Sequence, residues 1–144
     1  MTNRILLIED NDDDVELTLM AFRRSRLANE IVVARDGVEA LEILHGTKTT
    51  APQPLPTVVL LDLKLPRVDG FEILRRIREH PTTRLLPVVV LTSSAQERDL
   101  VQTYASGANS YIVKPVDFEQ FLDSAKQIGM YWLMLNRTPP AEGV

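Results

Sequence analysis

Cysteine is missing from all 144 residues, so neither a disulfide framework nor a thiolate-held metal can organise this chain. Aromatic residues are sparse, with a single tryptophan, which leaves aliphatic side chains to build the core. No apolar run approaches the roughly 20 residues that cross a bilayer, and the first residues lack the layout of a secretory signal. An excess of basic charge is lacking too: 16 lysines and arginines face 20 aspartates and glutamates, a net charge of −4. That balance weighs against nucleic acid or an anionic membrane as the main partner. The remaining reading is a soluble, cytoplasmic chain of ordinary hydrophobic content, long enough to bury one core.

What the chain does have is four short apolar runs, each ending in a polar residue. Arg4-Ile5-Leu6-Leu7-Ile8 ends in Glu9-Asp10, and Val58-Val59-Leu60-Leu61 ends in Asp62. Val88-Val89-Val90-Leu91 ends in Thr92-Ser93, and Tyr111-Ile112-Val113 ends in Lys114-Pro115. Runs of this kind suit strands buried on both faces of a parallel sheet. A weaker fifth strand covers Ile31-Val32-Val33-Ala34. Helical patterns alternate with the strands: one after Asn11 to about Leu27, one opening at Asp36-Gly37, one carrying Phe71, Ile73, Leu74 and Ile77, one from Ala95 to Ala105, and one from about Asp117. Five βα units with right-handed connections predict an α/β fold: a doubly wound, five-stranded parallel sheet with helices on both faces. The expected division is one domain over 1–129, then an extension over 130–144.

In such a sheet the ligand site lies beyond the carboxyl ends of the strands. Glu9, Asp10, Asp62, Thr92 and Lys114 should therefore meet. A strand-end carboxylate such as Asp62 can be a nucleophile toward phosphorus, or can simply mark where the strand meets solvent. Glu9 and Asp10 beside it concentrate like charge, which a bound Mg²⁺ would relieve. Asp12, Asp13 and Asp14 read as first-turn helix acids, with Asn11 as the cap. A calcium loop starting at Asp10 fails, because Val15 and Ala21 stand where glycine and glutamate are required. Lys114 can meet a phosphoryl oxygen as a point charge, and the Lys114–Pro115 bond is a candidate cis peptide that would aim its side chain. Thr92 can donate to a phosphoryl group or cap the next helix, a task for which Ser93 and Ser94 compete.

Together, Glu9-Asp10, Asp62 with Leu65-Pro66 and Asp69-Gly70, Thr92-Ser93 and Lys114-Pro115 resemble the receiver domain of two-component response regulators, over about residues 3 to 128. That resemblance implies a flavodoxin-like fold and phosphorylation of Asp62 by a histidine kinase. It implies Mg²⁺ held by Asp10, Asp62 and the backbone carbonyl of Lys64, with Glu9 acting through water. Thr92 and Lys114 would grip the phosphoryl oxygens, and Tyr111 would be the switch aromatic. Self-catalysed dephosphorylation is implied as well, without turnover of a separate substrate. Three departures stand out: Glu9 where aspartate is more usual, Lys64 two residues after Asp62, and a long proline-bearing loop at 46–57. A phosphatase of the haloacid-dehalogenase type would need an aspartate where Lys64 stands. A module that is never phosphorylated would be expected to have a broken acidic site.

After Gly129 the run Met130-Tyr131-Trp132-Leu133-Met134-Leu135 is apolar all round, which one core-facing stripe cannot satisfy. Tyr131, Trp132, Leu133, Met134 and Leu135 are read as a homodimer contact in preference to a hook over their own domain. The longer middle loop and this aromatic end resemble the small regulators that partner bacterial and cyanobacterial phytochromes, which makes a phytochrome-type kinase the expected partner.

Overall fold

The computed structural model describes residues 4–25 and 30–139. Its elements are β1 (Arg4–Ile8), α1 (Asp12–Ser25), β2 (Glu30–Ala34), α2 (Gly37–His45), β3 (Val58–Leu61), α3 (Gly70–Glu79), β4 (Val88–Thr92), α4 (Glu97–Ala105), β5 (Ser110–Val113) and α5 (Phe118–Gly129). A π-helical segment, Met130–Leu135, continues α5 without a break. All strand pairs are parallel, in the order β2-β1-β3-β4-β5. This is the doubly wound fold expected from the alternation. Leu27, placed at the end of the first helix by its pattern, lies outside the described residues.

The period-2 alternation of the strands sorts the core into two halves. Leu6, Ile8, Val59, Leu61, Val88 and Val90 face α2 and α3, against Ala40, Leu44, Ile73, Leu74 and Ile77. Ile5, Leu7, Val58, Leu60 and Val89 face α1 and α5, against Val15, Phe22, Ala125 and Ile128. Strands covered on both faces need no polar alternation, which is why they read as unbroken apolar runs.

Local signals set the helix ends. Asn11 Oδ1 accepts from Asp14 N at 3.0 Å, while Asp36, Asp69 and Asp117 cap α2, α3 and α5 through the amide three residues on. Gly70 lets α3 start against the end of β3, since a Cβ there would lie 2.6 Å from Leu63 Cα and 2.8 Å from the Asp62 carbonyl oxygen. α4 begins two residues later than its pattern predicts. Its N-cap, Gln96, makes no side-chain cap bond, and Ser94 Oγ instead donates to Asp99 Oδ2 at 2.6 Å.

The far edge of the sheet is stitched by Arg78. Its guanidinium donates to the carbonyls of Gly107, Arg84 and Leu86 and to Asn109 Oδ1 at 2.7–3.1 Å. Asn109 Oδ1 in turn accepts from Val88 N, so one side chain links α3 to the starts of β4 and β5.

Beyond Gly129 the apolar run divides. Leu133 is buried and Trp132 half-buried against the α1–α5 half of the core, with Trp132 edge-on to Tyr131 at 5.0 Å. Met130, Tyr131, Met134 and Leu135 are exposed. Leu133 is therefore a core residue rather than a surface one, a correction to its place in the expected contact. The π-helical winding, with its i→i+5 bonds, puts neighbouring residues on faces that a 3.6-residue period does not anticipate.

Candidate functional site

The site forms at the carboxyl ends of β1, β3, β4 and β5, beside the point where the strand order reverses between β1 and β3. Glu9, Asp62 and Thr92 are buried there, and Asp10 is exposed at the rim. Carboxylate oxygens of Glu9, Asp10 and Asp62 all lie within 4.8 Å of one another. Hard oxygen donors packed this closely fit a divalent cation. Lys64 is exposed, and its amide donates to Asp62 Oδ1 at 3.3 Å.

Lys114 reaches into this cluster from the end of β5. Its Nζ donates to Glu9 Oε1 at 2.5 Å, Asp14 Oδ2 at 2.7 Å and Asp62 Oδ2 at 3.2 Å. Its backbone N–H donates to the Thr92 carbonyl at 2.7 Å, extending the β4–β5 ladder. No cis peptide occurs among the described residues, so the Lys114–Pro115 bond is trans, contrary to the candidate above. The isomers of an X-Pro bond differ by only about 0.5–1 kcal/mol, and here three carboxylates aim the side chain.

Asp14 was missed as a site residue. Its place in the first turn of a helix made it look like a dipole-complementing acid. But side chains on a helix lean toward its N-terminus, and from α1 that lean brings Asp14 to Lys114.

Electrostatics follow from the crowding. Burial is the main cause that raises the Glu9 carboxyl to about 7; Asp62 adds to this, and the Lys114 hydrogen bond opposes it. For Lys114, burial works against the charged form. The hydrogen bonds to Asp14 and Glu9, with the charges of Asp62 and Glu9, outweigh it and hold its pKa above the usual lysine range. Three carboxylates thus share one ammonium.

Thr92 is fully buried, and its Oγ1 accepts from Ser94 N at 3.3 Å instead of capping α4. Tyr111 OH donates to the Ser94 carbonyl at 2.8 Å. Thr92 and Tyr111 are therefore joined through a single loop residue, a link that spacing alone does not reveal.

A doubly wound fold with an acid cluster, a buried threonine and a lysine at one sheet edge defines a class of phosphoryl-accepting signalling domains. Residues 5–126 match the response regulator receiver domain, and the chain belongs to that family. It is 42% identical over 135 residues to the "Probable methanogenesis regulatory protein FilR2" of Methanothrix harundinacea, covering 94% of this chain and 86% of that protein. It is 34% identical to the response regulator Rcp1 of Synechocystis sp., covering 95% and 93%. The crystal structure of Mn²⁺-bound Rcp1 superimposes with a TM-score of 0.88 at 33% identity, over 95% of this chain and 99% of that one. The bacteriophytochrome response regulator AtBRR is 50% identical over 95% of this chain and 99% of its own, with a TM-score of 0.73. A divalent cation is thus in keeping with both the acid cluster and the relatives. Among the described residues, no helix is long and apolar enough to cross a membrane.

Proposed function

We propose that this chain is a phosphorelay receiver in which Asp62 accepts a phosphoryl group from a phosphohistidine of a sensor kinase, changing the surface it offers to partners. One observation carries the reading: the Lys114 ammonium lies 3.2 Å from Asp62 Oδ2, at the edge where Glu9 and Asp10 converge. An Asp62 oxygen attacks phosphorus as the N–P bond breaks, and the electron pair of that bond returns to the imidazole nitrogen. Lys114 and the Thr92 hydroxyl are the donors for the phosphoryl oxygens.

Mg²⁺ is the cation assigned to the site, with Asp10, Asp62 and the Lys64 backbone carbonyl as the residues that would hold it directly and Glu9 acting through water. Bound there, it would offset charge on the transferring group. Once phosphorylated, the group draws Thr92 Oγ1 away from Ser94 N, and the loop that also anchors Tyr111 shifts. Tyr111 is thereby the switch aromatic. The exposed apolar residues beside it, Val101 and Tyr104 on α4, Val113, Val116 and Phe118, are the surface through which the change leaves. The partner kinase is assigned to the phytochrome type, supported by the 50% identity to a bacteriophytochrome response regulator. The exposed face of the π-helical segment is assigned to a homodimer contact.

Incubation with Mg²⁺ and acetyl phosphate tests the core of this reading. Mass spectrometry should find one acid-stable, base-labile phosphoryl adduct, absent from Asp62→Asn. An unmodified wild type, or an adduct that survives in Asp62→Asn, would refute the assignment.

A further inference from the structure

Among the described residues, the three carboxylates around Lys114 are not equivalent. Glu9 and Asp62 also belong to the oxygen cluster they share with Asp10, and Asp14 does not. The side chains of Glu9 and Asp62 are 4% and 10% exposed, whereas that of Asp14 is 29% exposed at the lip of the site. When Glu9 and Asp62 turn their oxygens to a divalent cation, the ammonium loses lone pairs and gains a repelling neighbour. Asp14 remains, in the first turn of α1, with Oδ2 at 2.7 Å from Nζ.

We infer that Asp14 is a positioning residue for Lys114: it keeps the ammonium beside Asp62 while a cation fills the acid cluster, so that Nζ is in place when phosphoryl oxygens arrive. The inference rests on Asp62 being the phosphoacceptor. It explains why the lysine contacts an acid that the cation cluster does not include. It also assigns Asp14 a role distinct from capping, since the α1 cap is Asn11.

The test uses the full chain as wild type, Asp14→Ala, Lys114→Met and the double variant, each checked for fold by circular dichroism. At saturating Mg²⁺, Asp14→Ala should slow phosphorylation by acetyl phosphate about tenfold, the scale of one charge-assisted hydrogen bond. In the Lys114→Met background the same change should have no further effect. In a second arm, the ¹⁵N-ammonium NMR signal of Lys114 should persist in Mg²⁺-loaded wild type and vanish in Asp14→Ala. Equal slowing in both backgrounds, no slowing at all, or an ammonium signal that ignores Asp14 would each overturn the inference. A wild type that takes no phosphoryl group overturns the assignment of Asp62 instead, and the NMR arm still decides whether Asp14 holds Lys114.

Discussion

Lys114 is the residue on which the charge balance of the site turns. Its side chain is 9% exposed, and it is the ammonium shared by Glu9, Asp14 and Asp62. Removing one partner of a buried ionic group leaves the others uncompensated, which is costlier than never having built the group. Lys114→Met should therefore destabilise the chain by about 3 kcal/mol in cation-free buffer, measured by urea unfolding with a chelator present. Adding Mg²⁺ should recover part of that loss in Lys114→Met, because a cation can replace the missing positive charge. If the variant were as stable as wild type without Mg²⁺, Glu9, Asp14 and Asp62 would not depend on the ammonium for their charge balance. The same crowding explains what was legible at this scale. A parallel sheet gathers strand ends, so Glu9, Asp10, Asp62, Thr92 and Lys114 could be grouped from their place after apolar runs. Asp14 could not, because its role depends on how α1 is aimed at β5.

Between elements, the two histidines of the chain join the end of α2 to the end of α3. His45 and His80 stack with centroids 4.0 Å apart and 10° between planes. Thr83 Oγ1 donates its one proton to the Ile77 carbonyl, so at 3.0 Å it can only accept from His45 Nε2. Thr82 N donates to His80 Nδ1, so His80 likewise carries its proton on Nε2. Protonating His45 would add charge to Nδ1 in a stack that also faces Arg76. Burial first, then His80 and Arg76, lower its pKa from 6.5 to about 4. Because the folded value is depressed, the unfolded chain takes up the proton first as pH falls. The contribution is complete above pH 6.5, shrinks as pH falls toward 4, and is gone below that. The slope approaches about 1.4 kcal/mol per pH unit within that window. Urea unfolding at pH 7 and pH 5 should show wild type losing more stability than His45→Gln; parallel losses would show that His45 titrates normally. This pairing was not legible beforehand, since one histidine ends a helix and the other precedes a proline, and neither position announces a partner.

At the level of the whole molecule, alternation of apolar runs with helical patterns was enough to read the sheet and both helical layers, because each βα unit satisfies its own local rules. The chain beyond Gly129 resisted that reading. A stretch apolar on every side offers no period, and its π-helical winding divides it between a core face at Trp132 and Leu133 and an outer face at Tyr131, Met134 and Leu135. α5 carries this segment to the edge of the sheet opposite Asp62, where Thr138 and Pro139 lie beside Leu55, Pro56, Leu85 and Leu86. A contact made by the outer face would thus leave the phosphoacceptor site open to a kinase, so dimerisation and phosphorylation should separate cleanly by mutation. Met134→Glu together with Leu135→Glu places two charges on the exposed face and touches neither Trp132 nor Leu133. Sedimentation velocity should then show a wild-type dimer and a monomeric variant, with both taking up phosphoryl groups from acetyl phosphate at the same rate. A monomeric wild type, or a variant that still dimerises, would remove the contact from this face and leave Trp132 and Leu133 as an intramolecular clasp.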